Sequence, residues 1–311
     1  MFQRDAVIGG LSAILLSLCT ACAGPGPRPS EPAGDTLVLQ ASSAARLAYD
    51  LGNYSQAKAL YRRALARAQA INDADLAADA AYNLAMSEIG LQHYEAADQL
   101  LRQSEYDAVR ASSATIDIRL LRAKVAYLRE RLPEAIALAN QVIASKAPRH
   151  MHLQAKILRG QIFCDTGELP SAKSELQSIE GLVASAKSDF APSIRADIDK
   201  LRGVIALLDG NMVVAARFFD AESELLRTAH RYRDMGNAFA RAAGAHLSAG
   251  NSALAADRFF LAARSLAGLG DLGSAKVFAE SSLTAAANAG DDDAHARAQM
   301  LLEEIAKGGV P

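Results

Sequence analysis

The chain has 311 residues, a formal net charge of −2 at pH 7 and a sequence pI near 6.3. This charge argues against a nucleic-acid-binding protein, because such proteins present a basic face to the phosphates. Half of the residues are hydrophobic, which excludes disorder through most of the chain, although only 5% are aromatic and none is Trp. Alanine supplies much of the apolar fraction. Its small side chain lets helix backbones approach closely, so the composition favours packed pairs of helices.

Residues 1–21 are predicted to be a signal peptide. Arg4 gives the segment one positive charge, and residues 6–18 form an apolar run that is too short to span a hydrocarbon core of about 30 Å comfortably. Small residues follow the run, and Cys22 comes directly after Thr20 and Ala21. This arrangement resembles the lipobox of bacterial lipoproteins, in which the cysteine becomes the mature N-terminus and carries acyl chains.

The resemblance leaves the lipidated residue open between two cysteines. Cys22 is preferred because small residues precede it, whereas Cys19 is the alternative because Leu16 lies where the family prefers leucine. An ordinary signal peptide that is cut at Ala21 or Ala23 is a third alternative.

The residue after Cys22 bears on the destination of the protein. In the lipoprotein family, Asp at that position favours retention in the inner membrane, and this chain has Ala23 there. The resemblance therefore implies an anchor in the outer membrane that faces the periplasm. Residues 22–37 are predicted to be the lipidated cysteine and a proline-rich tether, because four prolines between residues 25 and 32 disfavour a helix.

Residues 38–307 are predicted to be a helical repeat domain, and residues 308–311 a tail. After about Asp35, apolar residues recur at helical spacing without strand-like alternation, and short breaks occur every 15 to 20 residues. The breaks contain Gly, Asn, Asp or Pro, which stop or start helices. They lie at Gly52-Asn53, Asn72-Asp73, Gly90, Pro133, Pro148, Gly167, Pro192, Gly210-Asn211, Gly250-Asn251, Gly270-Asp271 and Gly290-Asp291.

Small residues recur along this domain with a period of about 40 residues. Seven alanines lie 37 to 43 residues apart, and a small residue precedes each by twelve positions. Four positions after each alanine, six of the seven residues are large and apolar. The alanines are Ala57, Ala97, Ala135, Ala172, Ala215, Ala255 and Ala296; the preceding small residues are Ala45, Ala85, Ala123, Gly160, Gly203, Ala243 and Thr284; and the following positions hold Tyr61, Leu101, Ala139, Leu176, Phe219, Phe259 and Met300.

This pattern resembles the tetratricopeptide repeat family, whose motif places a small residue midway along helix A, another early in helix B and an aromatic residue one turn later. The best local match runs from Gly52 to Ala57, with Tyr61 following. The period exceeds the family's 34 residues, so the helices are expected to be longer by a turn or more. The resemblance implies an all-α, right-handed superhelical solenoid of about seven helix pairs, or about 14 helices, with a concave face. A compact helical bundle is the alternative.

In that family, side chains of helix A line the concave groove and bind protein or peptide partners. The resemblance implies that the partner-binding groove of this chain contains Arg46, Tyr49, Asp79, Tyr82, Asn83, Met86, Lys124, Tyr127 and Gln161. The same register places Asp117, Gln154, Lys200 and Asn237 there. Tyrosine suits such a groove because it combines a large contact area with a polar tip. The alternative is that the tyrosines pack between adjacent A helices.

No residue is predicted to be catalytic or to bind a metal or a cofactor. His150 and His152 are the only close histidine pair, and residues two apart on a helix point in different directions. Cys164 has no partner cysteine in the domain and is predicted to be a small buried residue. The sequence contains no phosphate-binding glycine loop after a strand, no nucleophile elbow and no zinc-protease helix motif. We therefore expect a protein that is not an enzyme.

The last repeat is predicted to be a polar cap. Asp291, Asp292 and Asp293 place negative charge at a helix start, where the helix dipole favours it. Glu303 and Glu304 add charge further along the same helix.

Together these features predict a periplasmic scaffold or adaptor lipoprotein that binds a protein or peptide partner. The most plausible setting is the assembly of cell-envelope machinery, such as outer-membrane proteins, pili or secretins. Two alternatives stay open: a regulator of an enzyme that synthesises or hydrolyses peptidoglycan, and an enzyme whose site the sequence does not reveal. The N-terminal lipid would attach the protein to the membrane, no nucleic-acid partner is expected, and the sequence indicates no particular oligomeric state.

Overall fold

The computed structural model describes residues 35–186 and 190–308. The predicted signal peptide, Cys19, Cys22 and most of the predicted tether lie outside these residues. Within them the chain forms 14 α-helices and no strand. The helices are α1 (Thr36–Asp50), α2 (Tyr54–Ala70), α3 (Ala74–Gly90), α4 (Tyr94–Ala111), α5 (Ile116–Leu128), α6 (Leu132–Ala144), α7 (Arg149–Asp165), α8 (Leu169–Ala184), α9 (Pro192–Leu208), α10 (Met212–Thr228), α11 (Tyr232–Ser248), α12 (Ser252–Ala267), α13 (Leu272–Ala289) and α14 (Asp292–Ala306).

Short turns with a left-handed residue join the two helices of most pairs. Gly52 has a φ of +75° between α1 and α2, a conformation that a Cβ atom disfavours. Asn53 then caps α2, because its side chain accepts a hydrogen bond from the backbone N–H of Gln56 at 3.2 Å. Gly210 and Asn211 repeat this arrangement at the start of α10. The Gly-Asn breaks of the sequence therefore end one helix and begin the next.

Each helix packs mainly against the helices that precede and follow it in the chain. The odd-numbered helices also contact one another between α1 and α3, α5 and α7, and α7 and α9. Such a pattern of neighbouring contacts is that of a helical repeat array, in which each pair buries its apolar face against the next pair. The predicted set of seven helix pairs is confirmed.

Small residues lie where the two helices of a pair cross. In the first six pairs, the predicted small residue on the first helix and the predicted alanine on the second are all buried. Gly203 shows why the position must be small, because a Cβ atom there would lie 2.5 Å from the Phe219 ring. The alanine-rich composition therefore reflects close helix crossings rather than a deep core.

The register predicted for the seventh pair is wrong. Ala296 and Thr284 are exposed, and the Met300 side chain is 58% exposed. The buried small residues are instead Ser282 on α13 and Ala294 on α14, two positions earlier in each case. The Ser282 hydroxyl donates a hydrogen bond to the Ala256 carbonyl at 2.8 Å, which fixes α13 against the preceding pair.

The predicted boundaries differ slightly from the helices. Helix α1 begins at Thr36, inside the segment 22–37 that was predicted to be tether. Helix α14 ends at Ala306, just before the predicted tail.

Candidate functional site

Two pockets open along the odd-numbered helices. The first, which we call the amino-terminal pocket, has a volume of about 480 Å³ and lies between α1, α2 and α3. Helices α1 and α3 supply nearly all of its surface, since they are the first helices of adjacent pairs. Its lining residues are Leu39, Ser42, Ser43, Arg46, Tyr49, Asp50, Tyr61, Tyr82, Asn83 and Met86.

Three tyrosines give the amino-terminal pocket its chemistry. Burial raises the pKa of Tyr49 and of Tyr82, so both hydroxyls keep their protons and remain hydrogen-bond donors at neutral pH. The Tyr49 ring also contacts the Tyr54 ring edge-on, with the ring centroids 5.2 Å apart. Tyr49 therefore packs against the second helix of its own pair and also lines the pocket.

Arg46 and Asn83 are the principal polar groups beside these tyrosines. The Arg46 side chain is exposed, and its guanidinium lies 4.0 Å from the Asp50 carboxylate. The Asn83 side-chain amide donates a hydrogen bond to the carbonyl of Asp79, one turn earlier on α3, at 2.9 Å. This bond holds the Asn83 amide in place, and its side-chain oxygen remains as an acceptor.

The second pocket, which we call the central pocket, lies between α5, α7, α9 and the start of α11. It has a volume of about 260 Å³. The Tyr127 hydroxyl donates a hydrogen bond to Asp165 at 2.6 Å, and burial together with this carboxylate raises the pKa of Tyr127. The lining residues are Lys124, Tyr127, Leu128, Gln154, Ile157, Leu158, Gln161, Asp197, Lys200 and Arg231.

The central pocket carries three cationic side chains and one carboxylate. Arg231 pairs with Asp197 at 3.0 Å and with Asp234 at 2.8 Å. Burial lowers the pKa of Lys124, although the Asp197 carboxylate opposes this effect. Lys200 adds the third positive charge. The central pocket is therefore more basic than the amino-terminal pocket, where Arg46 faces Asp50.

The structure brings eight of the nine predicted groove residues to these two pockets. Arg46, Tyr49, Tyr82, Asn83 and Met86 line the amino-terminal pocket, and Lys124, Tyr127 and Gln161 line the central pocket. Asp79 lines neither pocket. The residues thus form two separate pockets, and their role in binding a partner stays a prediction.

Several lining residues were not predicted from the sequence, and Tyr61 and Arg231 are two of them. Tyr61 lies on the second helix of its pair and was assigned to packing, whereas it is buried and also reaches the amino-terminal pocket. Arg231 precedes the first residue of α11, outside the helix positions that the family register covers. No feature of the sequence indicates that Arg231 lines a pocket. The recurring aromatic residue at the position of Tyr61 is a signal that could have identified Tyr61 as a lining residue.

The other residues that the sequence singled out lie apart from both pockets. Cys164 is buried in α7, and burial raises the pKa of its thiol to about 11. His152 lies in the first turn of α7 with its ring nitrogen 3.1 Å from the Ser145 carbonyl. Across residues 35–186 and 190–308, the structure contains no group of three or more His, Cys, Asp or Glu side chains that could hold a metal ion. In the same ranges, no helix combines the length and the apolar character needed to cross a bilayer.

No family model and no curated protein sequence matches the chain. Solved structures do match its fold. A Rap protein complexed with Competence and Sporulation Factor has a TM-score of 0.60 at 14% identity, over 89% of this chain and 88% of that chain. The apo form of the quorum sensor NprR from B. thuringiensis has a TM-score of 0.53 at 11% identity, over 86% and 87% of the two chains. A tetratricopeptide repeat protein from Parabacteroides merdae ATCC 43184 has a TM-score of 0.48 at 13% identity, over 87% and 99%.

Proposed function

We propose that this chain, which has the all-α helical repeat fold of tetratricopeptide repeat proteins, is a non-enzymatic scaffold that binds a protein or peptide partner along its odd-numbered helices. The amino-terminal pocket carries this proposal. It joins side chains from three helices around a volume of about 480 Å³, with aromatic surface beside hydrogen-bonding groups. Binding sites for extended ligands combine these two features, because aromatic rings supply contact area and polar groups fix orientation.

The solved structures of similar fold support the same class of function. One of them is a Rap protein in complex with a named factor, and another is named as a quorum sensor. Their fold resembles that of this chain over most of both chains, and sequence identity is too low to carry over any particular ligand. The support therefore extends to binding of a protein or peptide as a class.

We further propose that the scaffold is a lipoprotein of the outer membrane that works in the periplasm, in the assembly of envelope machinery. Cys22 with the small residues before it, and Ala23 after it, support this setting. Mass spectrometry of the mature protein tests it. We expect an acylated Cys22 at the N-terminus, whereas an unmodified N-terminus at Ala23 or later would rule out the anchor.

The binding proposal is tested with a library of random peptides displayed on phage. We expect the full chain to enrich a set of peptides, and the double variant Tyr82→Ala/Met86→Ala to bind them at least tenfold more weakly, since both side chains line the amino-terminal pocket. A matched control is Tyr106→Ala/Met300→Ala, which removes the same residue types from exposed positions on α4 and α14. Absence of enrichment, or equal losses in both double variants, would show that the pocket is not the binding site.

A further inference from the structure

Helix α1 exposes an apolar stripe at the amino-terminal end of the array. Leu37, Leu47 and Leu51, the last being the C-cap residue directly after α1, have 59%, 63% and 77% of their surface exposed. Gln40 and Ala44 lie between them and are also exposed. These five positions recur every three or four residues, so they share one side of the helix. The side of α1 that faces the array holds smaller residues, namely Val38, Ala45 and Ala48.

Such a stripe is unusual at the end of a helical repeat array. Terminal repeats have no further neighbour, so a polar outer face keeps the end soluble. Helix α14 follows this rule, because its exposed positions include Asp292, Asp293, Glu303 and Glu304. The leucines of α1 therefore indicate a surface that contacts another apolar surface.

The position of α1 along the chain favours one candidate for that second surface. Asp35 caps the first turn of α1, and residues 1–34 precede it directly. Cys22, the residue proposed to carry the lipid, is thirteen positions before Asp35. Helix α1 is consequently the part of the repeat domain that is nearest along the chain to the anchoring bilayer, while α14 is the farthest.

We propose that α1 lays its stripe, Leu37, Leu47 and Leu51, on the lipid surface to which the chain is anchored. This inference rests on the lipid anchor of the proposed function. Leucine side chains on one face of a helix enter the boundary between headgroups and acyl chains, and they strengthen attachment by a single lipidated residue.

A tryptophan reporter tests the contact, because the chain has no Trp of its own. Leu47→Trp places the reporter in the stripe, and Met300→Trp is the matched control, since Leu47 and Met300 are 63% and 58% exposed at opposite ends. The full chain, purified from bacterial membranes with its own N-terminus, is reconstituted in vesicles of phosphatidylethanolamine and phosphatidylglycerol with brominated acyl chains. We expect bromine to quench the fluorescence of the Leu47→Trp chain several-fold more than that of the Met300→Trp chain.

Two further measurements make the result decisive. Adding Leu37→Glu and Leu51→Glu to the Leu47→Trp chain should abolish the quenching while the chain still floats with the vesicles, and circular dichroism checks that these exposed changes leave the helices intact. Flotation with equal, weak quenching at both reporters would overturn the inference and leave the anchor standing. Failure to float would reject both. Shielding of the Leu47→Trp reporter from acrylamide in detergent, growing with protein concentration, would assign the stripe to a second copy and overturn the lipid assignment.

Discussion

The two end helices of the array place their most buried and most exposed leucines on opposite sides. Helix α14 turns Leu301 and Ile305 inward and exposes carboxylates, whereas α1 turns Val38 inward and exposes Leu47 and Leu51. Both helices have 15 residues and one neighbouring pair. The helices therefore differ both in the direction of their leucines and in charge, because α14 carries four carboxylates and α1 carries one, Asp50.

Because of this difference, the large apolar side chains of α14 stabilise the fold, whereas those of α1 are available for binding. At the α14 end, large side chains are buried, so they contribute to the free energy of unfolding of the array. At the α1 end, the leucines add little to folding and remain available for another surface. Helix α14 is a cap that ends the array in water, and α1 is the end that makes a further contact.

The largest expected effect comes from the same substitution at the two ends. Leu301→Ala should lower the free energy of unfolding by about 2–5 kcal/mol, because Leu301 is buried among α12, α13 and α14. Leu47→Ala should change it by no more than about 0.5 kcal/mol, because the side chain is already exposed. Urea unfolding followed by circular dichroism measures both values. Equal losses would show that Leu47 is buried in the folded chain, which contradicts the comparison.

The repeat register could be predicted from the sequence for part of the array. The register of the first six pairs was predictable, because two small residues and, in most pairs, one large residue recur at fixed spacing. The seventh was not, because Ala294, Ala296 and Ala298 alternate through the first turns of α14, and only packing against the preceding helices buries Ala294 and Ala298 and leaves Ala296 exposed. Similarly, Leu37, Val38 and Leu39 are consecutive apolar residues, so helical spacing alone could not show that Val38 faces inward.

The pocket residues on the first helices of the pairs could be predicted, because the repeat register assigns those positions to one surface. Tyr49 on α1 and Tyr82 on α3 were expected on one surface, and they meet because α1 and α3 are neighbours. The division into two pockets was not predictable, since it depends on how closely α5, α7 and α9 approach one another. Arg231 enters the central pocket from the start of α11, a position that the repeat pattern does not assign to the groove.

A smaller effect is expected at the start of α14. The Asp291 side chain accepts a hydrogen bond from the backbone N–H of Ala294 at 2.9 Å, which satisfies a free donor of the first turn. Asp291→Ala should therefore lower the free energy of unfolding by about 1 kcal/mol. Asp292→Ala is the control, because it removes a charge from the same turn and keeps the cap. A loss at Asp292 as large as that at Asp291 would show that charge, and not capping, stabilises the cap helix.

The smallest effect on the whole protein is expected at the start of α1, where it is local and depends on pH. Asp35 accepts hydrogen bonds from the backbone N–H groups of Leu37 and Val38 and from the Arg67 guanidinium on α2. The Arg67 hydrogen bond is the main reason that the pKa of Asp35 lies below its ordinary value of 3.8. A lowered folded-state pKa gives a contribution that is present above the ordinary value and is lost as pH falls through the folded-state value.

Protonation of Asp35 should therefore loosen α1 in acid. Hydrogen exchange measured by mass spectrometry, corrected for the intrinsic effect of pH, should show faster exchange in α1 peptides below about pH 4. Asp35→Asn, which keeps the shape of the side chain, should produce the same fast exchange at pH 7. The global unfolding midpoint at pH 7 should hardly move, because α1 buries only Val38, Ala45 and Ala48. If α14 peptides of the Asp35→Asn chain also lost protection at pH 7, the substitution would be acting on the whole array and not on α1 alone.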